Sequence, residues 1–192
     1  KASAGFDAIA QSLESLVSKK SNDQSVEYAS KSLRVSINSF ISFVNNPNMK
    51  NATEMSIAAN LAGKAISISK TTAPHAVSYP FTSLFNISHG HAVSLFFEKF
   101  FKFNYENLEK SEVSFVLKKR FDLIFNLFDV PNIESFNSKI SSIKNQSKLS
   151  DNMKLLNIDL DKNIDKIIGG VNLLRLGNNP VKIDGKDITN II

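Results

Sequence analysis

Apolar residues recur at helical spacing from the start of the chain. Phe6, Ile9, Leu13, Leu16 and Val17 fall on one stripe of residues 6–18, the three-to-four spacing of a helix that buries one face. Residues 24–44 (QSVEYASKSLRVSINSFISFV) repeat the pattern until NNPN at 45–48 interrupts it. A third helix is predicted over 51–69, where SIAANLAGKAISIS offers small side chains for close packing. Two more, over 72–84 and 89–103, flank the short polar stretch FNIS at 85–88. Helices over 111–128, 133–147 and 161–168 complete the set, the last closed by Gly169-Gly170 as a C-cap. Only PVKID (180–184) hints at a strand. The pattern predicts one all-α domain over residues 1–192, with no internal repeat and no low-complexity linker.

Composition narrows the picture in a few places. An apolar content of 42% and a charged content of 21% suit an ordinary soluble domain. Ser, Lys or Asn breaks every apolar run well short of a membrane span. With no cysteine there is neither a disulfide nor a thiolate metal site. The net charge of +5 is dispersed; its densest runs, Lys19-Lys20 and Lys118-Lys119-Arg120, read as solvated helix faces. Neither a nucleic acid nor a membrane is expected as partner, while an anionic cofactor or substrate would be compatible with the charge. The seven glycines form no phosphate-cradling loop, so any dinucleotide site is expected outside these residues. The chain opens on KASAGFDAIAQSLESL, without an initiating Met or a signal-peptide pattern, and reads as a piece of a longer, cytoplasmic protein.

The candidate chemistry lies in TTAPHAVSYPFTSLFNISHGHAV (71–93), which contains all three histidines. On one unbroken helix, His75 and His89 would stand about 21 Å apart at about 1.5 Å per residue. One metal ion needs both imidazoles at about 2.0–2.1 Å. The chain must therefore reverse between them, and Pro80, the FNIS loop and Ser88 as an N-cap supply the means. Asp7 on the first helix is a candidate carboxylate ligand, with Gln11 one turn on along the same face. His91, two positions past His89, points elsewhere on a helix and reads as a cleft residue. Spacing alone leaves open whether these are ligands or ordinary polar residues. The Phe-rich SLFFEKFFKF (94–103) reads as core or as a domain interface.

Together these segments resemble the C-terminal half of the iron-containing (group III) alcohol dehydrogenase family. Its first-helix motif G-x-D-A-x-x-H-x-x-E is matched by Gly5, Asp7, Ala8 and Glu14, with Gln11 at the histidine position. Its second motif is matched by His75, His89, Gly90 and the fourteen-residue ligand spacing. Tyr79 stands where a non-ligand histidine would be, and Ser88 replaces a proline. NLAGKAIS (60–67) and VNLLRLGNNPVKIDGKDI (171–188) also look like family segments, and the wording around the histidines is nearest a phosphonoacetaldehyde reductase-like branch.

The resemblance implies a helical metal and substrate domain that follows an N-terminal α/β domain carrying NAD(P). It implies Fe2+ or Zn2+ held by Asp7, Gln11, His75 and His89, with Tyr79 on the substrate side and His91 as a catalytic residue in proton transfer. The implied substrate is a small aldehyde or alcohol, a phosphonate among the candidates, and the implied full-length protein is a homodimer. One alternative is a dehydroquinate synthase-like lyase domain, which usually has a glutamate among its ligands. The other is a non-catalytic helical interaction module with a decayed metal site, which Gln11 and Tyr79 favour.

Overall fold

The computed structural model describes residues 1–192. Eleven α-helices follow one another: α1 (Ala2–Val17), α2 (Asp23–Asn45), α3 (Met49–Ser69), α4 (Ala73–Phe85), α5 (His89–Ser94), α6 (Phe97–Glu106), α7 (Leu117–Phe128), α8 (Ile133–Gln146), α9 (Leu160–Gly169), α10 (Leu173–Leu176) and α11 (Gly185–Ile191). The fold is all-α, as the periodicity predicts.

Helix α1 is the axis of the molecule. Its polar Ser12, Glu14 and Ser15 are buried along with Phe6, Ile9, Leu13 and Leu16, so it is enclosed on more than the single stripe visible in sequence. The buried serines are satisfied across helices. Ser12 donates to Ser32 Oγ (2.8 Å), Ser32 to the Ala58 carbonyl (2.8 Å) and Ser69 to Ser15 Oγ (2.8 Å). Small hydroxyls let α2 and α3 approach α1 closely without leaving a polar atom unpaired. Asn22 and Asn48 start α2 and α3 by reciprocal capping with Ser25 and Asn51.

Two apolar clusters form. One gathers Phe6, Leu13, Phe97, Phe101, Phe121 and Phe136 around α1, α6, α7 and α8. The other gathers Phe81, Phe96, Phe100, Ile167 and Ile188 around α4, α9 and α11. The first departure from the sequence reading falls here. The helix expected over 89–103 is broken at Leu95-Phe96, between α5 and α6. From the N-cap of α6 onward the phenylalanines divide by face, Phe97 and Phe101 entering the first core and Phe96 and Phe100 the second.

Other boundaries move for local reasons. The helix expected from 111 begins at Leu117. The residues before it stay out of the helix: the Glu112 N–H donates to the Pro180 carbonyl (2.8 Å), Ser111 forms a bridge with Val181, and a bend at Ser114-Phe115 follows. That single bridge is all that comes of the strand hint at 180–184, since Asp184 turns at once into the N-cap of α11. Gly170 closes α9 in a right-handed conformation; its lack of a side chain matters for proximity, because a Cβ there would sit 2.9 Å from Cβ of Pro80.

Pro80 does not end its helix, which continues to Phe85, and the reversal comes at Asn86 in a left-handed conformation. Proline lacks the N–H that would bond the carbonyl four residues back. That carbonyl, on Ala76, accepts instead from the backbone N–H of Asn172 (3.1 Å). Asn172 is in turn the N-cap of α10, accepting from the Arg175 N–H (3.1 Å). The interruption in α4 is thus the point where the C-terminal segment docks. Asn178 fastens the same segment by donating to the Ser69 and Thr71 carbonyls, both 2.9 Å. No helix is long and apolar enough to cross a membrane.

Candidate metal centre

Three helices deliver the cluster: Asp7 from the N-terminal turns of α1, His75 from the first turn of α4 and His89 from the first residue of α5. The Asn86 turn folds α5 back against α1 and α4. Gly90 sets how closely it can come: a Cβ there would overlap the Ser3 carbonyl and lie 2.9 Å from Asp7 Cβ. One ligand atom each of Asp7, His75 and His89 lies within 4.8 Å of the others. His75 Nε2 is 3.2 Å and His89 Nε2 4.0 Å from the same Asp7 oxygen, Oδ1. Donors about 2.0–2.2 Å from a tetrahedral ion stand about 3.3 Å apart, so these atoms need only small side-chain adjustments to share one cation.

The partners of the cluster also suit a cation. His75 is 3% exposed, and its Nδ1 abuts Glu14 Oε2; neither atom has another hydrogen-bond partner. The other Glu14 oxygen accepts from the backbone N–H of His75 and from Thr72 Oγ1, both at 3.1 Å. A carboxylate on Nδ1 fixes the ring and directs Nε2 toward Asp7, the carboxylate–histidine arrangement that supports a metal ligand. In the metal-free protein burial disfavours the His75 charge, but Glu14 and Asp7 outweigh it and raise the pKa to about 9. A proton on Nε2 then stands where a divalent ion would. His89 is pushed the other way, below the usual imidazole value, by burial and by the positive charges of His75 and Arg175, with Asp7 opposing. It presents a neutral nitrogen.

Gln11 turns its amide nitrogen to the cluster's carboxylate, donating from Nε2 to Asp7 Oδ2 (2.8 Å). It thereby holds one Asp7 oxygen and leaves Oδ1 for the histidines. Of the four ligand candidates, three converge and the fourth braces one of them. Tyr79 lies beside His89, ring centroids 5.6 Å apart, at the rim of the cluster. His91 is not among the converging atoms: its Nε2 is 2.8 Å from the Ser150 carbonyl, and its backbone N–H donates to Ser3 Oγ (3.2 Å). Its contacts hold the segment after α8 against α5.

Two further residues belong to the site: Glu14, which the sequence offers only as a motif match with no role attached, and Arg175, which it does not single out. Glu14 carried a signal, since it is seven residues from Asp7 and so lies two turns along the same face, in line with Asp7 and Gln11. Arg175 carried none: it reaches the site only because α10 docks on α4 near Pro80, and its guanidinium lies 5.5 Å from the Tyr79 ring centroid.

Comparison with known proteins extends these observations. The family model described as Fe-containing alcohol dehydrogenase family, C-terminal, matches residues 1–192. The 4-hydroxybutyrate dehydrogenase of Clostridium kluyveri is 29% identical over 115 residues, covering 58% of this chain and 31% of that protein. The structure of sulfoacetaldehyde reductase from Bifidobacterium kashiwanohense, in complex with NAD+, superposes with a TM-score of 0.85 at 23% identity, covering 99% of this chain and 48% of that one. An archaeal halo-thermophilic alcohol dehydrogenase from a Red Sea brine pool gives 0.88 at 20% identity, covering 99% and 49%. At these identities the two structures establish the fold. The chain spans about half the length of these solved structures and about a third of the curated relative.

Proposed function

The chain belongs to the Fe-containing alcohol dehydrogenase family, as its C-terminal helical domain, and on that premise we propose that it is the metal-bearing half of an NAD(P)-dependent aldehyde reductase or alcohol dehydrogenase. Asp7, His75 and His89 are the proposed ligands of Fe2+ or Zn2+. The proposed partner is an N-terminal α/β domain that carries the nicotinamide cofactor. The observation that carries the reading is the convergence of one carboxylate and two imidazole nitrogens, with the far side of His75 occupied by Glu14. Two histidines and one carboxylate suit both Fe2+ and Zn2+ and leave coordination positions open for substrate.

A bound metal supplies Lewis-acid polarisation of the carbonyl oxygen and the reduced nicotinamide supplies hydride. This chain's residues do the positioning. Gln11 holds Oδ2 of Asp7 so that Oδ1 faces the histidines. Glu14 keeps the His75 proton on Nδ1 and so frees Nε2. Tyr79 packs on the His89 ring and forms the apolar wall at which substrate carbons would lie. Among the similar proteins, the names specify 4-hydroxybutyrate and sulfoacetaldehyde; both carry an anionic group at the end remote from the reacting oxygen, and the same is proposed for the substrate here.

The test is made on the full-length protein that contains this chain. Purified protein should hold about one Fe2+ or Zn2+ per polypeptide and reduce short aldehydes with NADH or NADPH. His75→Ala and His89→Ala should lose both properties. Unchanged metal content in both variants would refute the ligand assignment, and the absence of any aldehyde reduction by metal-replete wild type would refute the activity.

A further inference from the structure

Arg175 is the one cation beside the cluster for which the fold supplies no carboxylate. It is half-buried. No acidic oxygen lies within ion-pair distance of it, and its protein acceptor is neutral, the hydroxyl of Thr71 bonded by Nη1. The guanidinium carbon lies 5.5 Å from the Tyr79 ring centroid, and that ring lies 5.6 Å from His89. Guanidinium and metal-side imidazole are therefore one aromatic ring apart, and the positive charge of Arg175 is felt at His89.

Its placement is built by several devices. Pro80 leaves the Ala76 carbonyl free, and Asn172 takes it. The Asn172 side chain starts α10 by accepting from the Arg175 N–H. Gly170 permits the close pass over Pro80, and Asn178 ties the end of the segment to residues 69 and 71. Thr71, the residue that Arg175 bonds, is itself fully buried two positions before α4. The guanidinium is held on one edge by Thr71, which leaves N–H donors of the fork uncommitted.

Physical chemistry limits what such a group is for. A half-desolvated guanidinium next to a divalent-metal site repels the metal and gains nothing from a missing counter-ion. It is stabilised when an anion enters, and the planar fork recognises oxyanions by paired charge-assisted hydrogen bonds. We propose that Arg175 is the seat for the anionic end of the substrate, a short aldehyde that carries a carboxylate, sulfonate or phosphonate a few bonds from its carbonyl. Tyr79 spans the carbons between the two ends. This inference rests on the aldehyde reductase reading above and names the substrate class of that same site.

The test compares full-length wild type with Arg175→Gln and Arg175→Lys. The substrates are 4-oxobutanoate, 2-oxoethylsulfonate and 2-oxoethylphosphonate, against neutral butanal, each with saturating nicotinamide cofactor. Wild type should prefer at least one anionic aldehyde, and whichever of the three is preferred identifies the anion. Arg175→Gln should lower the ratio of anionic to neutral kcat/KM by about 10- to 100-fold, the range for losing a charged hydrogen-bond partner. Arg175→Lys, which keeps charge but not the fork, should fall between and guards against misfolding of the first variant. Calorimetric binding of 4-hydroxybutanoate without nicotinamide should weaken in parallel. An unchanged ratio, or a raised KM for NAD(P)H in place of aldehyde, overturns the role of Arg175. Wild type that reduces butanal as efficiently as every anionic aldehyde overturns this inference alone, whereas no reduction of any aldehyde overturns the reductase reading and this inference with it.

Discussion

Replacing Glu14 by Gln tests the centre through a residue that would not touch the metal. The wild-type carboxylate is fully buried and accepts from the His75 backbone N–H and Thr72 Oγ1, both at 3.1 Å, while its second oxygen meets His75 Nδ1. An amide keeps one oxygen for the first two donors but turns an NH2 toward Nδ1. His75 then has two donors facing each other unless its proton moves to Nε2, the atom that faces Asp7 at 3.2 Å. That tautomer cannot bind a cation through Nε2. Loss of such a supporting partner costs about 10- to 100-fold in metal affinity, or about 1.4–2.7 kcal/mol. The fold should survive, because His75 neutralises together with its partner. Glu14→Ala would be a poorer probe, since three buried donors left unpaired at about 1–3 kcal/mol each approach the whole stability of a typical domain, about 5–15 kcal/mol. The assay is competition of Zn2+ or Co2+ between the full-length protein and a chelator, with a thermal melt as the folding control. Affinity within threefold of wild type in a folded Glu14→Gln protein would refute the claim that this contact sets the ring.

Further outcomes follow from the same geometry. Gln11→Ala frees Oδ2 of Asp7 from its 2.8 Å bond and should weaken metal binding about tenfold; tighter binding in the variant would show that the amide obstructs the site. Metal affinity should rise about tenfold per pH unit from neutrality and flatten above about 9, because binding displaces the His75 proton; a chelator titration with no slope in that range would contradict it. The same raised pKa stabilises the metal-free fold fully below its ordinary value of 6.5, and that contribution is lost as pH climbs through about 9, which thermal melts in chelator would record as a falling Tm. Gly90→Ala forces a methyl into the Ser3 carbonyl and to within 2.9 Å of Asp7 Cβ, so it should cost about 1–3 kcal/mol of stability and weaken metal binding by moving His89; wild-type values for both would show that α5 has room to yield.

Much of this protein is determined by the sequence alone. The helical stripes, the Asn and Asp caps and the NNPN break specify most helices, because they act over a turn or two and need no partner. The ligand candidates were legible for the same reason: the residue types, the one-turn spacing of Asp7 and Gln11 and the reversal that a shared ion requires between His75 and His89 are local facts, and family resemblance joined them into one set. What tertiary structure decided lies where two distant segments compete for one group. The LFFEKFF run is divided between two cores, and Ser111 and Glu112 stay out of α7 because Val181 and Pro180 hold their backbone. Gln11 braces Asp7 because that carboxylate has an oxygen left over once Oδ1 faces the histidines. Arg175 depends on a carbonyl that Pro80 frees and a residue nearly a hundred positions later collects. Periodicity records which face of a helix is buried; only the packed chain determines which polar groups find each other there.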